Sequence, residues 1–201
     1  MSVYMLEDFD ESQWDTVYRL ADAAIPFDLA GNRQTIDRRK SFDAAQYARR
    51  HYSVLGPSAS AMIGYGAVEQ QADNPASFRM FIILLSGDLW ETAGDLLYQR
   101  LLGDLYALNA RLVWWREYAD DLALVRFVKT RGFTETDRVI DLRAPLPSDS
   151  AALIVQGFQP TVRGDEQQVI LRSSEQQALQ LAEQSGFQQV FSYVRLEKSL
   201  A

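Results

Sequence analysis

The chain has 201 residues, 47% of them hydrophobic and 23% charged, which is enough to bury a domain-sized core and too apolar for a disordered segment. A net charge of −7 and a pI near 4.8 argue against a nucleic-acid or anionic-membrane partner, because phosphate surfaces are bound by summed positive charge. With no cysteine there is no disulfide, thiolate metal site or cysteine nucleophile, and a single histidine, His51, leaves no multi-histidine metal centre.

The opening "MSVYMLEDFDESQW" carries acids where a signal peptide would be basic, and no apolar run is long enough to span a bilayer. A soluble cytoplasmic protein is expected. "VYML" reads as a strand, after which Asp10 and Gln13 have the spacing of a reciprocal helix cap. Trp14, Val17, Tyr18, Ala21 and Ile25 then fall on one helical stripe. "PFDLAGNRQ" reads as loop, and "TIDRRKSFDAAQYARRHY" as a polar helical region that restarts at Ser41 and leaves His51 at a helix end or strand start.

"ASAMIGYGAVEQ" is a strand in which Gly64 and Gly66 imply a bulge or a close approach of backbone. After the turn "QADNPAS", the run "FRMFIILL" has the length and apolar content of a central strand covered on both faces. "SGDLWETAG" reads as a turn, with a helix from Gly94 marked by Leu96, Leu97, Leu101, Leu105 and Leu108. "RLVWWRE" is a strand whose Trp114 and Trp115 alternate across a sheet. "DDLALVRFVKTR" is a helix closed by Gly132, "TETDRVIDLR" a strand, and "APLPSDS" a boundary.

The order to residue 146 is a strand, helices, two strands, then alternating helices and strands, which predicts an α/β fold on one mixed sheet flanked by helices. In the tail, "QSGFQQVFSYVRLEKSL" places its leucines after Gly186 at the same distances as "TRGFTETDRVIDLRAPL" does after Gly132, and a third Gly-Phe pair stands at Gly157 and Phe158. Two readings stay open: the ordinary way a helix hands over to a strand, or residues 147–201 as a shortened repeat packed on a domain of residues 1–146.

The element order, with "LVRFVKTRGFTETDRVIDLR" near the domain end, resembles the GNAT N-acetyltransferase superfamily, some of whose members carry two such domains in tandem. The resemblance implies acetyl transfer from acetyl-CoA to a small amine or peptide amine. It places coenzyme A at Leu84 and Leu85, closing the central strand, and at Thr92, Ala93, Gly94 and Asp95, whose amides would cradle its pyrophosphate. The family loop, Gln/Arg-x-x-Gly-x-Gly/Ala, laid on "LWETAG" puts Leu89 where the donor belongs and Thr92 at the first glycine, while Glu91 and Asp95 oppose a phosphate by on the order of 1 kcal/mol each. The tyrosine that many members place four residues before the "GF" glycine is Val128 here, and Ala182 in the tail copy; the asparagine that often opens that helix is Asp121.

No catalytic residue is assigned. Glu117 and Tyr118, just after "RLVWW", are the nearest general-base candidates by topology. Metal is not expected, and the expected partners are the amine substrate, with a homodimer as the option for self-association. The alternative is a catalytically silent GNAT-like binding or dimerisation module, motivated by the lost donor, glycine and tyrosine.

Overall fold

The computed structural model describes residues 4–57, 61–146, 153–154, 157–163 and 165–200. Contacts gather into two units, Met1–Trp115 with Lys198–Ala201, and Arg116–Glu197.

In the first unit, β1 (Met5–Asp8), β2 (Arg49–Leu55), β3 (Met62–Gln71) and β4 (Asn74–Leu84) are antiparallel neighbours, and β5 (Leu112–Tyr118, in this unit through Trp115) lies parallel to β4. Strand alternation gives the sheet two apolar faces. On one face, Tyr65, Ala67, Phe81 and Ile83 pack with Trp14, Val17, Leu20 and Ala21 of α1 (Trp14–Ala24) and Ile36 of α2 (Leu29–Lys40). On the other face lies α3 (Asp95–Ala107), where Leu97, Leu101 and Leu105 are buried.

Gly64 and Gly66 serve this second contact. An added Cβ on Gly64 would come 2.8 Å from Leu84 Cδ2 and 3.3 Å from Leu97 Cδ1, and one on Gly66 3.1 Å from methyls of Leu97 and Leu101. Close approach therefore holds at both glycines and a bulge beside one of them: β3 shifts register against β2 next to Gly64, where Val54 pairs with Gly64 and Leu55 with Met62, while the β3–β4 register runs evenly through both.

Three local expectations are corrected. Asp10 does cap, its carboxylate accepting from the Ser12 amide at 2.8 Å, but the turn it caps is the short 3-10 segment Glu11–Gln13. Gln13 does not reciprocate, since its Oε1 is buried with no partner among the described residues. Next, α2 starts inside the expected loop. Asp28 accepts from the Gly31 amide at 3.1 Å, and glycine leaves room for this cap, because a Cβ would lie 2.0 Å from the Asp28 carboxylate and push it aside. Last, the helix stops at Lys40, and Asp43 takes the amides of Ala45 and Gln46 into its side chain, a turn that competes with helix. "RRHYSVL" is then β2, because pairing with β3 buries Tyr52, Ser53 and Val54, and that tertiary gain outweighs local helical preference.

His51 therefore sits mid-strand, half-buried, with its ring 4.9 Å from that of Phe9. Burial, and then the nearby Arg49 charge, lower its pKa below the usual histidine value, while Glu11 opposes the shift. A depressed native pKa means that the unfolded chain takes up the proton first as pH falls. Stability from this group is thus complete above about pH 6.5 and declines below it. Urea midpoints of the wild type and His51→Gln, measured from pH 7.5 to 5, should diverge in slope over that interval; parallel curves would remove the assignment.

The second unit holds the end of β5, α4 (Leu122–Thr130), β6 (Thr134–Pro145), β7 (Thr161–Arg163), β8 (Glu166–Arg172), α5 (Gln176–Gln184) and β9 (Gln188–Ser199, in this unit through Glu197). β6 lies between β9 and β8, β7 pairs beyond β8, and all of these pairs are antiparallel. Leu142, Ala144, Val169 and Leu171 of the sheet pack against Ala178 and Ala182 of α5. Gly132 and Gly186 both end helices at positive φ, 86° and 84°, and each is followed by a buried phenylalanine and a strand. Gly157 has the same backbone, and the "APLPSDS" segment from residue 147 on lies outside the described residues.

Asp121 caps α4 by accepting from the Leu124 amide at 3.0 Å. Asp121→Ala should cost about 1 kcal/mol, read as a lowered urea midpoint with unchanged m-value, whereas Asp121→Asn should recover most of it.

Candidate cofactor site at the end of strand β4

β4 and β5 are paired at Ser77–Leu112, Phe78–Val113 and Arg79–Trp114, and among the described residues the register ends there. β4 continues to Leu84, so its Met80–Leu84 backbone runs on past the last pair with β5. Parallel strands that part after three pairs leave one with ladder groups that an extended ligand can meet. Leu84 is buried; Leu85 is 47% exposed, and its amide donates to the Ile63 carbonyl at 2.9 Å.

The expected turn after β4 is helical almost throughout. Ser86 is extended, Gly87–Leu89 is a 3-10 turn, Trp90–Gly94 is a π turn, and α3 follows without a break. Gly94 itself has φ −64° and ψ −43°, ordinary right-handed helix. The Asp95 amide donates to the Thr92 carbonyl, and the Thr92 hydroxyl to the Leu89 carbonyl at 3.2 Å. Thr92, Ala93, Gly94 and Asp95 are therefore interior positions of a helical run, and they do not form the amide-lined bend expected of them.

Trp90 is the physical reason. Its indole is 6% exposed and meets the Trp115 ring edge-on, with centroids 6.2 Å apart. A Cβ on Gly94 would lie 2.8 Å from the Trp90 ring and 3.1 Å from Leu84 Cδ1. Gly94 thus makes room for tryptophan, where the expectation gave its place to phosphate. Leu89, at the donor position, is only partly exposed, and Thr92 and Glu91 face solvent.

The unsatisfied amides of a helical run lie in its first turn, which here is at Gly87 and Asp88, both exposed. The Asp88 carboxylate accepts from the Ser86 hydroxyl and stands where an anion would approach. The residues expected to hold a pyrophosphate therefore do not fit one, and the two open amides carry their own negative charge.

The other expected positions are equally plain. Val128 and Ala182 are both core, with no exposure. Glu117 is buried, and its Oε1 accepts from the Tyr118 amide at 3.0 Å; Tyr118 points the other way, onto Phe191 and Tyr193. Trp115 is core, while Trp114 carries the Arg79 guanidinium 5.1 Å from its ring centre. Among the described residues no group of acids and histidine has the clustering of a metal site.

Sequence reasoning missed a buried polar group on the opposite face of the first unit. Arg39 of α2 donates from Nη1 to Glu69 Oε2 of β3 at 2.7 Å, with side chains 1% and 8% exposed, and its guanidinium lies 3.8 Å from the centre of the Phe81 ring. Tyr65 is fully buried two residues before Ala67 and four before Glu69 on the same strand face. Burial raises its hydroxyl pKa well above the usual tyrosine value, the Arg39 charge partly opposing and the Glu69 charge adding. The signal was present: Asn32, Ile36 and Arg39 share one helical stripe, and Glu69 sits in the inward row with Tyr65 and Ala67.

No protein-family model matches the chain, and no relative was found among the curated proteins. Solved structures do match. A GCN5-related N-acetyltransferase from Sphaerobacter thermophilus superposes with a TM-score of 0.66 at 11% identity, over 98% of this chain and 95% of that one. The fold is that of the GNAT N-acetyltransferases. The ribosomal-protein-alanine N-acetyltransferase of Brucella melitensis shares the GNAT fold at a TM-score of 0.56 and 10% identity, over 98% and 99% of the two chains. The PaiA N-acetyltransferase of Thermoplasma acidophilum, solved in complex with coenzyme A, does so at 0.55 and 10%, over 85% and 99%.

Proposed function

We propose that the chain is an acetyl-CoA-dependent N-acetyltransferase acting on a small amine or peptide amine by direct acyl transfer. The observation that carries this reading is the end of β4–β5 pairing at Arg79 and Trp114, which leaves the Met80–Leu84 backbone as a ladder for an extended pantetheine arm. A thiolate whose conjugate acid has a pKa of about 8.5 leaves without acid help, so Val128 in place of tyrosine does not forbid transfer. The Thr92–Asp95 amides take no part, and phosphates are left with Gly87 and Asp88 at the head of the helical run.

Calorimetric titration with acetyl-CoA tests the reading. Heat at millimolar cofactor or below is expected, strengthened several-fold in Asp88→Asn, because the carboxylate opposes the phosphates. No heat in either protein would end it.

The helical run favours a second reading, a GNAT-fold module that binds another molecule or a second copy and has lost the cofactor. It is supported by Trp90 filling the place beside Gly94. Here acetyl-CoA gives no heat until Leu89→Arg and Thr92→Gly restore a donor and a bend together. Tight binding by the unaltered protein would exclude it. For either reading no helix among the described residues is long and apolar enough to cross a membrane, and we place the protein in the cytoplasm.

A further inference from the structure

The Arg39 cluster is unusual in what it leaves undone. Arg39 uses only Nη1 on Glu69; Nε and Nη2, the fork that matches a carboxylate, are buried with no partner among the described residues. Glu69 Oε1 and the Tyr65 hydroxyl are likewise buried and unpaired. Four orphaned polar atoms on three neighbouring side chains, each residue at least nine-tenths buried, are far from what folded proteins tolerate. A guanidinium buried with only one of its donors used is costly even beside its counter-charge.

The helix above this cluster is held by polar contacts. Among the described side chains of α2 the only buried apolar one is Ile36; Asn32 and Arg39 are the others. Asn32 reaches the carbonyls of Ala21 and Ile25 at 3.1 and 2.8 Å, Asp37 accepts from the Tyr18 hydroxyl, and Arg49 donates to the Arg39 carbonyl at 2.7 Å. A helix with so little apolar anchoring is a low-cost element to lift.

We propose that α2 is a lid, and that its Arg39, together with Tyr65 and Glu69 of β3 beneath it, forms a receptor for a small zwitterion, a free α-amino acid or the like. The carboxylate takes the Arg39 fork and the Tyr65 hydroxyl, and the ammonium takes Glu69 Oε1. Glu69 is paired in register with Arg79, the residue at which β4 parts from β5, so a nitrogen held there lies next to the proposed cofactor strand. The inference deepens the transferase reading, and rests on it, by naming the acceptor class.

Calorimetry on the full chain, with and without acetyl-CoA, using alanine, propionate and ethylamine as probes, decides the matter. Alanine should bind, and propionate and ethylamine should each bind at least about tenfold more weakly, as expected when a charge-assisted contact is lost. Tyr65→Phe should weaken alanine by a similar factor while the apo protein melts at the same temperature or higher, since an unpaired buried hydroxyl has been removed. Arg39→Lys, which keeps the charge and loses the fork, should abolish the preference for alanine over ethylamine. If water alone satisfies these atoms, alanine gives no heat under either condition, and the receptor is excluded. Alanine binding unchanged in Tyr65→Phe would exclude it as well. Acetyl-CoA heat without alanine heat defeats only this inference, whereas alanine heat without acetyl-CoA heat defeats the transferase reading and keeps the receptor.

Discussion

Glu69→Leu should cost about 3–5 kcal/mol of stability, because it strands the Arg39 guanidinium in the core without a counter-charge. Arg39→Met leaves the Glu69 carboxylate stranded and should cost a similar amount. The double variant Arg39→Met/Glu69→Leu removes both desolvation penalties and places apolar volume against Phe81, so it should be no less stable than either single variant and near the wild type. Urea midpoints of the four proteins close a cycle. Additive losses in the double variant would mean that the two side chains act independently, and the buried-pair account would be wrong.

Trp90→Ala should be nearly as damaging, about 3–5 kcal/mol, from loss of a large buried ring and the cavity left between Leu84, Gly94 and Trp115. Its effect should also be local. With the indole gone, the π turn loses the contact that winds it, and amide hydrogen exchange should accelerate from Gly87 to Asp95 by more than in the second half of α3. Uniform acceleration along α3 would show that Trp90 contributes bulk packing only. The substitution also separates the two functional readings. Under the silent-module reading, unwinding exposes the amides of Thr92, Ala93 and Gly94, and acetyl-CoA affinity appears where there was none.

The central strand and the helices after it were legible because their side-chain periods are strong. "FRMFIILL" is buried almost without interruption, and Leu97, Leu101 and Leu105 mark the face of α3 that meets Gly64 and Gly66. The positive φ of Gly132 and Gly186 was equally visible, because glycine before an apolar strand at the end of a helical stripe is a local signal. What misled was the neighbourhood of residues 25–52. There Asp28 and Gly31 started a helix inside a segment rich in turn formers, and β2 was claimed from a helical-looking stretch by its pairing with β3. Such outcomes depend on partners distant in the chain, which local propensity does not see.

The turn at Thr92–Asp95 was hidden for a different reason. "ETAG" reads as a cradle because of its place in the chain, whereas the residue packed against its glycine is Trp90, one position before it. A tryptophan ahead of a lone glycine carries no local signature of a π turn; the cause is the cavity beside Trp115, formed by another strand. The Arg39 pair shows the converse. Its spacing was readable, but charged residues in a run such as "RRK" are ordinarily solvated, and only the inward row of β3 reveals which one is not.

The π turn has one consequence for the length of this segment. Its hydrogen bonds skip one residue more than those of an α turn, so the stretch between Trp90 and Gly94 holds one surplus amino acid within an otherwise continuous spiral. Excising the solvent-facing Thr92 would close that slack into a regular turn, leaving the downstream leucines in their seats. The junction is thereby able to change length by a single unit without disturbing the sheet, a freedom that the neighbouring strand β4, held in register by β3, does not share.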